Sequence, residues 1–270
     1  MSTEPARDRR RGLPGGLTLR ALAPNAITAA ALCVGLTGIR FGIGGEFEKS
    51  VLCVLLAGLL DGIDGRIARL LNAQSRFGAE LDSLADSISF GVAPALIIYL
   101  WTLQTVPRLG WFAALAFAIC CVLRLARYNA RIDMADEPRK AAGYLTGVPA
   151  PVGAGLAFVP IYLWIITRNE LFASPLGVSA WLVIIAFLMI SSVPTLSWTK
   201  LRPRRSVRLE MIALAGLLFA AVVTEPWFTL AGICIVYLAL IPVGIVGYSR
   251  IKRRRATRGP GGTEANPPLA

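Results

Sequence analysis

The chain is predicted to fold as an all-α, polytopic membrane helix bundle. Of its 270 residues 55% are hydrophobic and the mean hydropathy is +0.62, too apolar for an ordinary soluble domain. Eight apolar spans follow one another, most of them near the roughly 20 residues that cross about 30 Å of hydrocarbon. Lysine and arginine crowd alternate connections between those spans, as in a chain threaded through a bilayer.

The chain opens with residues 1–23, a basic arm holding Arg7, Arg9, Arg10, Arg11 and Arg20 among Pro and Gly. No apolar stretch precedes a small-residue cleavage site, so the arm reads as cytoplasmic and not as a signal peptide. The spans then run over residues 25–43, 48–71, 80–103, 108–130, 148–167, 176–197, 208–223 and 227–249. The seventh, within VRLEMIALAGLLFAAVVT, is the shortest. With the N-terminus inside, every lysine and arginine of the 28 except Arg40, Lys49, Arg108 and Arg168 falls on the cytoplasmic side. Both termini are therefore expected in the cytoplasm. Residues 251–270 form a basic tail whose end, GPGGTEANPPLA, is expected to be disordered.

The net charge of +12 is explained by orientation and by anionic lipid, so no nucleic-acid partner is expected. The clusters Lys200 to Arg208 and Arg250 to Arg258 read as lipid contacts. Histidine is absent, which removes the commonest zinc ligand and general base and favours a hard, oxygen-ligated ion such as Mg²⁺ or Mn²⁺. Cys33, Cys53, Cys120, Cys121 and Cys234 all lie in apolar segments without ligand spacing and read as small hydrophobes.

Against this background Asp61 to Asp86, DGIDGRIARLLNAQSRFGAELDSLAD, stands out. Asp61 and Asp64 are three apart and Asp82 and Asp86 four apart, so each pair shares a helix face. One acidic residue at the centre of a lipid-spanning helix costs roughly 2.5 to 3.5 kcal/mol, so four require compensation. A turn at NAQSRFG reverses the chain and lets the stripe of Asp61, Gly65, Ala68 and Arg69 face that of Gly78, Asp82 and Asp86. Gly65, Ala68 and Gly78 admit close approach of a backbone or a phosphate ester. Cations between the carboxylates suit phosphoryl-type transfer, with Arg69 the nearest clamp for a phosphate oxygen and a carboxylate to take a proton. The plainer alternative pairs the acids with Arg66, Arg69 and Arg76 at headgroup level; another uses them as cation sites of an ion-coupled transporter. Glu80 lies on another face and reads as solvated.

The spacing of Asp61, Asp64, Gly65, Ala68, Arg69, Gly78, Asp82 and Asp86 resembles the signature of the CDP-alcohol phosphotransferases at every fixed position. The resemblance implies a six-helix catalytic membrane core, here residues 24–200, followed by two additional helices over 201–250. It implies transfer of a phosphatidyl group from a CDP-linked lipid to an alcohol with release of CMP, and a homodimer in the inner membrane. It further implies that Asp61, Asp64, Asp82 and Asp86 hold two divalent cations, Mg²⁺ or Mn²⁺, that Asp86 also serves as base, and that Gly65, Ala68, Arg69 and Gly78 face the CDP part.

Other stretches bear on the acceptor. SFGVAPA at 89–95, RLARYN at 124–129, GVPAPVGAG at 147–155 and SSVPTLSWTK at 191–200 resemble the bacterial branch of the family that uses L-serine with CDP-diacylglycerol. Choline, inositol and glycerol 3-phosphate are the other acceptors to weigh. Arg124, Arg127 and Arg131 make a basic stripe that either anchors the fourth span or turns Arg124 or Arg127 inward to a lipid phosphate or a serine carboxylate. Asn129 either hydrogen-bonds the acceptor or is a polar helix end. Pro149 and Pro151 shape the start of the fifth span.

Overall fold

The structure, a computed structural model, describes residues 19–132, 144–191, 193–196 and 208–257. Most of the N-terminal arm, residues 133–143, Ser192, the basic stretch 197–207 and the end of the tail lie outside the described residues.

Eight helical segments match the eight expected spans, and the protein is an all-α, multi-pass membrane bundle. Helix α1 is Leu19–Ile43, α2 Phe47–Leu70 and α3 Arg76–Asp86. A π-helical turn, Ser87–Val92, joins α3 to α4, Ala93–Trp101, and α5 is Pro107–Ile132. Helices α6, Ala150–Ala157, and α7, Val159–Thr167, form one span; α8 is Pro175–Ile190, α9 Arg208–Thr224 and α10 Pro226–Thr257. Four segments, Leu22–Ile43, Arg76–Trp101, Pro107–Ala130 and Ala150–Thr167, are long and apolar enough to cross a membrane. The 24 residues of α2 would reach about 36 Å at 1.5 Å per residue; what sets it apart is charge, including Asp61, Asp64, Arg66 and Arg69.

The connections follow local chemistry. After α1, Gly45 takes φ +76° and Glu46 N–H bonds to Phe41 O at 2.9 Å, a tight turn into α2. After α2, Asn72 takes φ 48° and Ala73 N–H reaches Ala68 O at 2.9 Å. Ser75 then caps α3, its Oγ accepting from Gly78 N–H at 3.0 Å, so α3 begins at Arg76 and not at residue 80. The sixth span also differs from expectation, since its helix stops at Ile190. Ser191 is extended, and Pro194–Leu196 pairs antiparallel with Tyr144–Thr146 as a short two-stranded ribbon. Gly147, at φ +75°, passes too close to the carbonyls of Met189 and Ser191 to admit a side chain.

The buried core lies among the π turn and α4 to α8 and is built on Phe90, Ile97, Phe117, Phe158, Tyr162, Leu182 and Met189. Helix α1 packs along α2, while α10 packs on α7 and the ribbon, with Tyr162 stacked on Trp227 at a centroid distance of 6.1 Å. Helix α9 is exposed along most of its length and contacts chiefly α10.

Candidate active site

The acidic stripe of α2 meets that of α3, but not by direct helix packing. Both helices pack on α1, and α2 approaches the α3–α4 rod closely only at the π turn and α4. The two acidic ends therefore splay into a cleft. Ligand oxygens of Asp61, Asp64 and Asp82 lie within 4.8 Å of one another, close enough to hold a metal ion together. The carboxyl groups of Asp82 and Asp86 both lie against that of Asp61. Asp64 is buried and the other three are half-buried.

Among the described residues, none of these acids forms an ion pair with Arg66, Arg69 or Arg76, which disposes of the headgroup-pairing alternative. Two unit charges about 4 Å apart repel by roughly 4 kcal/mol at the effective dielectric of a protein surface. A cation held among these carboxylates would relieve that repulsion. An all-oxygen set of this kind suits a hard divalent ion.

The remaining expected residues fall into distinct settings. Nothing lies within 4 Å of the Cβ position at Gly65, so that glycine faces open space. Ala68 is half-buried, and the exposed Arg69 folds back so that Nε donates to Gly65 O at 3.0 Å. Gly78 is different: a Cβ there would stand 2.9 Å from Asn25 Oδ1 and 3.1 Å from the capping Ser75 Oγ. Its missing side chain is used to seat α1 against α3. On α5, Arg124 lies within electrostatic range of Asp86, and its Nε is buried without a hydrogen-bond partner. Arg127 Nη2 reaches Ser191 O at 3.5 Å, and Asn129 Nδ2 donates to Ser83 Oγ at 2.7 Å. The side chain of Arg131 lies outside the described residues.

Helix α1 contributes two residues that sequence reasoning missed. Thr28, buried, donates its hydroxyl to Asp64 Oδ2 and so fixes that carboxylate. Asn25, one turn earlier, contacts Gly78 and keeps a buried, unpaired Nδ2. The available signal was two polar residues at i and i+3, on one face at the start of an apolar span. Ser89, 2% exposed with an unpaired hydroxyl, sits below the acids in the π turn against Gly35.

Residues 21–245 match the family described as CDP-alcohol phosphatidyltransferase, and the chain belongs to that family. The match extends past residue 200 through α9 and most of α10. Among its relatives, the CDP-diacylglycerol–serine O-phosphatidyltransferase of Mycobacterium tuberculosis is 35% identical over 254 residues, 90% of this chain and 88% of that one. The enzyme of the same name from Mycobacterium leprae is 35% identical over 83% of this chain and 74% of its own. That of Bacillus subtilis is 38% identical over 50% of this chain and 72% of its own.

Proposed function

We propose that this protein transfers the phosphatidyl group of CDP-diacylglycerol to the hydroxyl of L-serine, giving phosphatidylserine and CMP. The observation that carries the reading is the carboxylate cluster at the cleft of α2 and α3, with Arg124 of α5 in electrostatic range of Asp86. The names of the relatives supply the acceptor.

The serine oxygen attacks the phosphorus that bears diacylglycerol, the bond from that phosphorus to the CMP oxygen breaks, and the serine proton passes to Asp86. Asp61, Asp64, Asp82 and Asp86 would hold two divalent cations, Mg²⁺ or Mn²⁺. Bound there, such ions neutralise charge on the phosphate oxygens. Gly65 and Ala68 leave room for the CDP part, Arg69 clamps a phosphate oxygen, and Gly78 keeps α1 close to that pocket. Arg124 takes the serine carboxylate or the lipid phosphate, and Arg127 flanks it.

The catalytic core is read as residues 24–200, with 201–250 added to its flank. This accords with the position of every site residue on α1, α2, α3 or α5. The start of α1, the ends of α2 and α5 and the start of α3 share one side of the bundle. Positive-inside counting makes that side cytoplasmic, in the inner membrane. Pairing as a homodimer rests on the family resemblance.

The test is an acceptor panel. Purified protein is given CDP-diacylglycerol, Mg²⁺ or Mn²⁺, and serine, choline, inositol or glycerol 3-phosphate singly, with and without chelator. CMP release is expected with serine alone and is expected to stop with chelator. Release driven by another alcohol would replace serine, and cation flux without CMP release would overturn the enzyme reading.

A further inference from the structure

Helix α3 carries Asp82 and Asp86, yet only Ala85 of its residues is buried. It leans on α1 and on the π turn, while α5 packs broadly on the π turn and α4 but touches α3 sparingly. One polar bridge spans that gap. Asn129 Nδ2 donates to Ser83 Oγ at 2.7 Å, across 46 residues of sequence. The direction of this bond is fixed by its surroundings. The single Ser83 hydroxyl proton goes to Ala79 O at 3.0 Å, so Ser83 presents only a lone pair to α5. An amide N–H satisfies that lone pair, whereas a carboxylate would oppose oxygen to oxygen. One turn further on, Ser87 Oγ donates to Ser83 O at 2.7 Å, so Ser83 is tied into the helix on both sides beside Asp82.

We propose that Asn129 is a positioning residue: through Ser83 it holds α3 so that Asp82 and Asp86 stay level with Asp61 and Asp64. The side chain acts on the carboxylates through α3, to which one of its two amide N–H groups is committed, and the KM for serine separates this role from a contact of the second N–H with the acceptor. This inference rests on the reading of those carboxylates as the metal site.

The test is a double-mutant cycle on the full chain. Asn129→Ala, Ser83→Ala and the double variant are compared for Mn²⁺ affinity, read from the electron-spin resonance of free Mn²⁺ without substrates, and for kcat and KM of serine. Each single variant is expected to weaken Mn²⁺ binding and lower kcat by about three- to ten-fold, the worth of one hydrogen bond. The KM for serine should stay within about two-fold, and the double variant should be no worse than either single one. Asn129→Asp should fall at least as far as Asn129→Ala. Ser83→Ala leaves α5 untouched, so an effect there cannot come from unfolding of α5. A rise in KM for serine in Asn129→Ala that Ser83→Ala does not share would assign Asn129 to the acceptor and overturn the proposal. Multiplicative losses in the double variant would overturn it as well. If wild type binds Mn²⁺ but serine drives no CMP release, the acceptor reading fails while the Mn²⁺ series still decides this one. If wild type binds no Mn²⁺, this proposal falls, while the acceptor panel run with Mg²⁺ still decides the other.

Discussion

Asp64 and Asp86 are chemically identical side chains placed in different surroundings. Asp64 is buried and receives the Thr28 hydroxyl, so its carboxylate is fixed in place, as befits a ligand. Asp86 lies against Asp61 with Arg124 of α5 in electrostatic range, the setting in which the proposed mechanism uses it as proton acceptor. A carboxylate shared with a dication is a weak base, so its proton transfer should accompany attack. Asp86→Asn is expected to cut CMP release by about 10²- to 10⁴-fold, the usual worth of general-base help, while retaining CDP-diacylglycerol binding. Turnover near wild type, measured beside donor affinity, would remove Asp86 from the chemistry.

At the scale of elements, the two glycines of the stripe work differently. Gly65 on α2 faces open space, whereas Gly78 on α3 is packed under Asn25 and Ser75. Gly78→Ala is therefore expected to displace Asn25 or the Ser75 cap and cost about 1 kcal/mol of stability, read from the thermal midpoint. Gly65→Ala should leave that midpoint within about 0.5 kcal/mol of wild type and raise the KM for CDP-diacylglycerol, because the added methyl enters only the open space that the proposed donor site would use. Equal loss of stability in both variants would contradict the distinction. The π turn has its own local reason. Pro94 lacks the N–H that would continue the α ladder to Phe90, and Ala93 N–H instead reaches back five residues to Ile88 O. Gly58 lets Phe90 of this turn close on α2 and Gly91 lets Cys121 of α5 close on the turn, so the turn between the two halves of the rod is keyed to both helices.

Across the whole molecule, polar chemistry separates to two ends. The acids, Asn25, Arg124 and Asn129 gather at one end. Glu48, Arg168 and Glu170 gather at the other, where Arg168 pairs with Glu48 at 3.5 Å and lies over the Trp164 ring. In intact spheroplasts, a membrane-impermeant thiol reagent is expected to label Glu170→Cys and to leave Ser75→Cys unlabelled until the membrane is opened; the reverse pattern would invert the topology. The eight spans and both acidic stripes were legible in the sequence, because hydropathy and the i, i+4 rule are properties of neighbours along the chain. The eight-position spacing from Asp61 to Asp86 likewise carried the family without any coordinates. Thr28 against Asp64, Asn25 on Gly78 and Asn129 on Ser83 were not legible, since each joins residues far apart in sequence and depends on the rotation of one helix against another. The ribbon after Ile190 escaped for the same reason, its strands being 48 or more residues apart. Sequence by itself determined which residues bear charge within the bilayer and on which helix face they lie. Tertiary packing alone decided that α2 and α3 splay around α1 into a cleft, because helix crossing is set by long-range side-chain contacts that no local period encodes.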